Sequence, residues 1–270
     1  MTLRHAPWEE GHDFAIGLKP VAEDAWLEGG EADPAARKDA LLAAVPEIVW
    51  AETEGSRPAQ AEVLGLVEAA LGRTAEASDR PQLLAAARMV ADDLCLMEKR
   101  DGQWRLTALS LSAGTFFTAA EVAGKSLADL HTPVGGFSER FLTRVTRIFE
   151  GLRPDLILER RNWTVVNSPE LHTPHAGEIR AAIPQIAPDA AGEALQLRVE
   201  RQTLRRLPRT GGAVFTIRVW LAPLATLSDD PARLAAFARA WRAATPEFRA
   251  YKRFDLYDEL VAAFLARHGV

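Results

Sequence analysis

Three groups of residues in this 270-residue chain have types and spacings that could do chemistry. His131 stands in Leu130-His-Thr-Pro-Val134, after a short helical pattern and before the Gly135-Gly136 turn. A histidine held near a proline on a loop can offer one ring nitrogen to a metal while a backbone carbonyl fixes the other. A packed or surface histidine is the commoner outcome. His172 and His175 share Leu171-His-Thr-Pro-His175, a spacing across a proline that suits two exposed loop residues better than a rigid chelate. Arg161-Asn162-Trp163 ends a strand-like run and brings a guanidinium, an amide and an indole together. Trp163 reads as core or rim packing, or as an aromatic wall beside a flat ligand.

The third group is basic: Arg198, Arg201, Arg205, Arg206 and Arg209 crowd one short stretch. If it is a strand, alternate side chains face opposite sides, so Leu195, Leu197 and Val199 share a face with Arg201, Thr203 and Arg205. On an inner face an unpaired guanidinium is costly, and Arg201 then needs an anion. A carboxylate-bearing ligand would serve, and so would a nearby Glu200. A solvated strand edge is the bland reading, and a bulge would exchange the two faces.

Most common enzyme frameworks have no support here. The chain contains no Walker loop, no Rossmann fingerprint, no Gly-x-Ser-x-Gly elbow and no His-Glu-x-x-His. Its single cysteine, Cys95, cannot form an internal disulfide, a zinc ribbon or an iron–sulfur centre, and suits a reducing compartment. A net charge of −5, from 32 basic and 37 acidic residues intermingled, argues against a nucleic-acid or anionic-membrane partner. The N-terminus carries Arg4, Glu9 and Glu10 and lacks the apolar run of a signal peptide. The longest apolar stretches fall short of the ~20 residues of a spanning helix. The expectation is a soluble, cytoplasmic protein with no membrane segment.

The elements that must position these groups follow from periodicity. With 48% hydrophobic residues the chain can bury one large core. Helical spacing marks residues 33–49, 62–71 and 81–94, the last two as a helical hairpin. Two strands then flank Asp101-Gly102, a short-range hairpin signal. Thr118-Ala-Ala-Glu121 is a capping box for a short helix ended by Gly124. Ser138 opens an amphipathic helix with Phe141, Leu142, Val145, Ile148, Phe149 and Leu152 on one face. Strands are expected at 155–166, 195–207 and 213–221, the last two joined by Arg209-Thr-Gly-Gly212. Ser228-Asp-Asp-Pro231 starts a helix toward Ala244, and a last helix covers 255–267. The sum is an α+β fold: an antiparallel sheet of about five strands, PAS-like, with flanking helices and N- and C-terminal helical additions.

The sequence resembles the haem-dependent oxidative N-demethylase-like family. The resemblance runs through Gly17-Leu-Lys-Pro20, Trp26-Leu27, Asp92-Asp-Leu-Cys-Leu-Met97, Gly124-Lys125, Leu130-His-Thr-Pro-Val134 and Arg161-Asn-Trp163. It continues through Glu200-Arg-Gln-Thr-Leu-Arg-Arg-Leu-Pro-Arg-Thr-Gly211, Val214-Phe-Thr-Ile-Arg218 and Tyr251-Lys252. The Glu200–Gly211 run is the most specific, being long and rare by chance. The chain departs from the family pattern at Ala113-Gly-Thr-Phe-Phe117 and at Gly135.

The resemblance implies one domain over residues 1–270 with a PAS-like core at about 92–222. It also implies haem b on a histidine ligand, a small methylated amine as substrate and oxygen as oxidant, with formaldehyde released. By this route His131 becomes the iron ligand. Arg201 and Arg205 become propionate anchors, Trp163 and Asn162 cofactor contacts, and Glu200 the group that orients the ammonium. Electrons would come from a separate flavin and iron–sulfur reductase, because the chain has neither dinucleotide fingerprint nor sufficient cysteines. Two other readings stand beside this one: a haem-based PAS-like sensor without turnover, and a haem-less relative that binds another small molecule.

Overall fold

Two turns set the sheet. In the computed structural model, which describes residues 4–10, 17–131 and 139–270 apart from the side chains of 131 and 139–141, Asp101 and Gly102 both have positive φ, at 50° and 76°. That is the mirror-image turn whose twist matches two paired strands, and it joins β3 (Asp93–Arg100) to β4 (Gln103–Ser110). The second hairpin joins β6 (Gln196–Arg206) to β7 (Ala213–Pro223). Its turn is held by the buried carboxylate of Glu62, which accepts from the backbone N–H groups of Arg209 and Thr210 and from the Thr210 hydroxyl at 2.6–2.8 Å. Burial pushes the Glu62 carboxyl up, but these hydrogen bonds outweigh it and hold it below the ordinary range.

With β1 (Lys19–Val21), β2 (Trp50–Glu52) and β5 (Ile157–Val166), the strands form one antiparallel sheet in the order β1-β5-β6-β7-β3-β4-β2. The sheet is therefore open and seven-stranded, where about five strands were expected. The two additions are edge strands of three residues each, too short to carry an alternation legible in sequence.

The helices are α1 (Pro34–Ala44), α2 (Pro46–Val49), α3 (Arg57–Leu71), α4 (Gln82–Arg88), α5 (Ala119–Val122), α6 (Leu127–His131), α7 (Glu139–Gly151), α8 (Gly177–Ala181), α9 (Ala191–Ala194), α10 (Pro231–Ala243), α11 (Pro246–Lys252) and α12 (Asp258–Arg267). The helix expected at 81–94 ends at Arg88, and its last residues open β3. A continuous apolar run reads alike for a buried helix and a buried strand. The capping box at Thr118 forms, with both reciprocal hydrogen bonds present. Ser138 and Gly135 lie outside the described residues. No helix among the described residues is long and apolar enough to cross a membrane.

The two faces of the sheet differ. One carries Leu197 and Val199 of β6, Trp163 of β5, and Leu94 and Leu96 of β3, and is covered by α3, α4, α10, α12 and the N-terminal segment. Between the apolar ends of this covered face runs a polar band. Here Lys38 of α1 donates to the carbonyls of Ala87 and Asp92, tying α1 to the start of β3. The Asp92 carboxylate is fully buried, and neither oxygen has a hydrogen-bond partner. Burial raises its pKa to about 6, against the pull of Lys38, Arg218 and Arg201.

A raised carboxylate means that the folded chain holds the proton more tightly than the unfolded one. Stability should therefore fall as pH rises from the ordinary aspartate value to about 6 and stay flat above it. Asp92→Asn is expected to remove that penalty and add roughly 2–3 kcal/mol at pH 8, with little change at pH 4. Urea unfolding of both proteins across that range would check it, and an equal effect at both pH values would rule it out.

Candidate functional site

The opposite face of the sheet is covered only in part. Helices α5, α6 and α7 pack through Leu127, Phe149 and Leu152 against Leu204, Met97, Cys95 and Leu109. Past that contact β5 and β6 present polar residues on the same side: Arg160, Asn162, Arg198, Glu200 and Gln202. The pairing sets Arg160 opposite Gln202 and Asn162 opposite Glu200, so this cross-strand cluster follows from the period-2 pleat.

Glu200 is its centre. One carboxylate oxygen accepts from Arg198 Nε at 3.2 Å; the other accepts from Gln202 Nε2 at 3.0 Å and Asn162 Nδ2 at 3.4 Å. Burial alone would push Glu200 up, but Arg198, Lys252 and these donors hold it below the ordinary range, and it stays ionised near neutral pH. Arg198 is buried and also donates to the carbonyls of Ala113 and Leu171. It thus ties the floor of this face to the loops at 112–117 and 171–175.

Those loops form one wall. Phe116 N–H donates to Thr173 O at 2.7 Å and Thr173 N–H to Gly114 O at 2.9 Å. Phe116 adopts φ +64°, an unfavourable conformation for a bulky residue, with Arg180 over its ring at 4.8 Å. A Cβ at Gly114 would sit 2.6 Å from Leu111 Cδ2, so any larger residue there would have to displace the buried Leu111 side chain. Asp93 anchors the loop base by accepting from Ser112 N–H, Ser112 Oγ and Ala113 N–H. A second wall comes from α11. Its Phe248 joins the aromatic core on the covered face, while Tyr251 and Lys252 reach the electrostatic field of Glu200 and Arg160.

The residues singled out in sequence separate by face. Glu200 and Asn162 lie together on the open side. Arg201, with 1% of its side chain exposed, lies on the covered face beside Val199, as the alternation required. Its anion is internal: Nε donates to Glu159 at 2.6 Å and lies 3.3 Å from Glu28, and its Nη groups donate to the carbonyls of Trp26 and Ala25. Arg205 pairs with Glu23 at 2.6 Å and stacks on Trp26 at 4.4 Å. Trp163 packs among Trp8, Phe237, Trp241, Phe248 and Phe254, the commoner of its two readings.

His131 closes α6, and its side chain lies outside the described residues, as does all of 132–138. His175 is exposed, as expected, whereas His172 is half-buried with both ring nitrogens buried and unpartnered. Burial lowers its pKa and keeps the imidazole neutral. Sequence reasoning passed over Arg160 and Gln202, and read His172 as an exposed loop residue where the structure half-buries it. The first two carried a signal, lying two residues from Asn162 and Glu200 on strands with that period.

An open antiparallel sheet with helices on one face, and with a polar, cation-rich floor between loop and helix walls on the other, defines an α+β protein. The family model for the haem-dependent oxidative N-demethylase, alpha subunit-like, matches residues 60–262, and the chain belongs to that family. Membership brings a haem cofactor and an oxidative, oxygen-using reaction at family level.

The residues present fit haem. No group of three or more His, Cys, Asp or Glu able to hold a metal occurs among the described residues. Haem iron needs few protein ligands, because the macrocycle supplies four nitrogens. A neutral histidine with buried, unpartnered nitrogens is a suitable axial donor, and the cations of the open face suit carboxylate side chains.

The separation by face predicts different outcomes for neighbouring residues. Arg201→Ala leaves Glu159, Glu28 and two carbonyls without their donor and is expected to cost about 3–5 kcal/mol of folding stability. Arg209→Ala, in the exposed turn, is expected to cost about 0–1 kcal/mol. Chemical denaturation of the two variants without any cofactor measures this. Equal midpoints would mean that the Arg201 fork contributes nothing.

Proposed function

We propose that this protein is a haem-dependent oxidative N-demethylase acting on a small methylated amine, with haem b held against the open face of the sheet. The observation that carries the reading is the floor around Glu200: an ionised carboxylate fixed by three donors, in a region walled by loops and helix yet reachable by solvent. Bound haem would supply the one-electron and oxygen chemistry.

The chain's own residues have simpler tasks. Oε1 of Glu200 receives one donor, Arg198, and keeps acceptor capacity for the N–H of an alkylammonium. Asn162 and Gln202 hold the carboxylate in place, and ionisation strengthens the contact to a cationic amine. His131 is the proposed axial ligand, on the strength of its motif. His172 is the second candidate, on the strength of its orphaned nitrogens. In this reading Arg201, Arg205 and Trp163 support the sheet from behind. The PAS-like description of residues 92–222 is part of the same proposal. Electrons come from a separate flavin and iron–sulfur partner, in keeping with an alpha subunit that works beside others.

Protein from haem-replete cells is expected to show a Soret band that His131→Ala abolishes or shifts. If only His172→Ala does so, the ligand is His172. No band in wild type after reconstitution with hemin would overturn the haem reading. Glu200→Gln is expected to keep the Soret band while weakening amine-induced spectral change about tenfold, the loss of one charge-assisted contact. An unchanged amine response would remove Glu200 from substrate binding. A haem-loaded wild type that neither responds to a panel of methylated amines nor releases formaldehyde would favour a sensor.

A further inference from the structure

Arg160 and Lys252 are two cations of the open face that form no ion pair among the described residues. Arg160 donates through Nε to Gln202 Oε1 at 2.6 Å, a neutral partner. Among the described residues its Nη groups meet no carboxylate. Lys252 Nζ lies 4.8 Å from the centre of the Tyr251 ring and 5.9 Å from that of Phe248, and among the described residues makes neither a hydrogen bond nor an ion pair. The carboxylate that both sense is Glu200, already engaged by Arg198, Asn162 and Gln202. Three cations, Arg160, Arg198 and Lys252, thus share one carboxylate.

Both side chains are partly solvent-exposed, so an external group can reach them. Both are also poorly hydrated: burial pushes Arg160 down and brings Lys252 to about 8. A desolvated cation without a counter-charge is costly, and an incoming anion relieves that cost. The planar guanidinium matches a carboxylate in a bidentate contact, and the ammonium adds a point charge beside it.

We propose that Arg160 and Lys252 form a carboxylate-binding subsite on the open face of the sheet, next to Glu200. The inference deepens the haem-demethylase reading and rests on it for the source of the carboxylate. Two sources share this chemistry. One is a carboxylate side chain of the porphyrin. The other is a carboxylate on the amine substrate itself, which would then be an N-methylated amino acid with its ammonium on Glu200.

The test begins with the full chain free of cofactor, titrated with ¹³C-labelled propionate and followed by NMR. Saturable binding is expected, weakened about tenfold by Arg160→Gln and by Lys252→Met and unaffected by Arg209→Gln in the exposed turn. A pH series on wild type needs no variant. Lys252 loses its charge as pH rises through about 8, with Glu200, Arg160, Arg198 and Tyr251 as its electrostatic neighbours, so affinity should fall across that value. Absence of saturable binding, equal binding in all variants or a flat pH series would overturn the subsite.

Two further arms assign the source. If the carboxylate is the porphyrin's, both variants lose haem to apomyoglobin about tenfold faster, and wild type takes up haem in preference to its dimethyl ester. If it is the substrate's, haem loss is unchanged and both variants lose the preference for N-methylglycine over dimethylamine. A chain that takes up no haem at all would end the haem reading, while the propionate titration would still decide the subsite.

Discussion

The unbroken pleat of β6 is the constraint on which the rest depends. It pairs with β5 over ten successive residues and with β7 over eleven, without a bulge. Each step therefore sends one side chain to the covered face and the next to the open one. Glu200 and Arg201 are adjacent in sequence, yet one lies on the open face and the other on the covered one. A single inserted residue would exchange them, burying Glu200 under the helices and stranding Arg201 in the open.

The two faces handle charge in opposite ways. On the covered side the arginines meet carboxylates of the protein itself: Arg201 meets Glu159 and Glu28 and donates to two carbonyls, Arg205 pairs with Glu23 over the Trp26 ring, and Arg218 pairs with Glu31. Apart from the Glu159 contact, which lies within the sheet, these contacts run between the sheet and residues 23–31, so they pin the N-terminal segment across the sheet. Breaking one leaves a buried charge, which is why such pairs specify a docking geometry even when their net stabilisation is small. On the open side three cations, Arg160, Arg198 and Lys252, gather around the single carboxylate of Glu200. Asp92 stands between the two regimes, a buried carboxylate near several cations that bonds to none of them.

The site also draws on distant parts of the chain. Arg198 joins the sheet to Ala113 and Leu171. The strained Phe116 and the crowded Gly114 then lock residues 112–117 to 171–175. Helix α11 inserts Phe248 into the aromatic core and so presents Tyr251 and Lys252 at the other face. Rigid packing on one side thus sets the position of polar groups on the other, the arrangement a pre-organised ligand site requires.

Much of this was legible in the residues alone. The Asp101-Gly102 turn, the capping box at Thr118, the long strands around Trp163, Glu200 and Phe215, and the sharing of a face by Val199 and Arg201 all follow from local sterics and a period of two, which neighbours in sequence determine. Family membership was legible too, from the run between Glu200 and Gly211. The partners were not. That Arg201 meets Glu28 and Glu159, that β1 and β2 add to the sheet edges, that His172 buries its nitrogens and that Lys252 stands beside Arg160 are contacts between segments far apart in the chain. Electrostatic matching and desolvation depend on distances in space, and only the tertiary fold decides which charges find a counter-charge inside the protein and which do not.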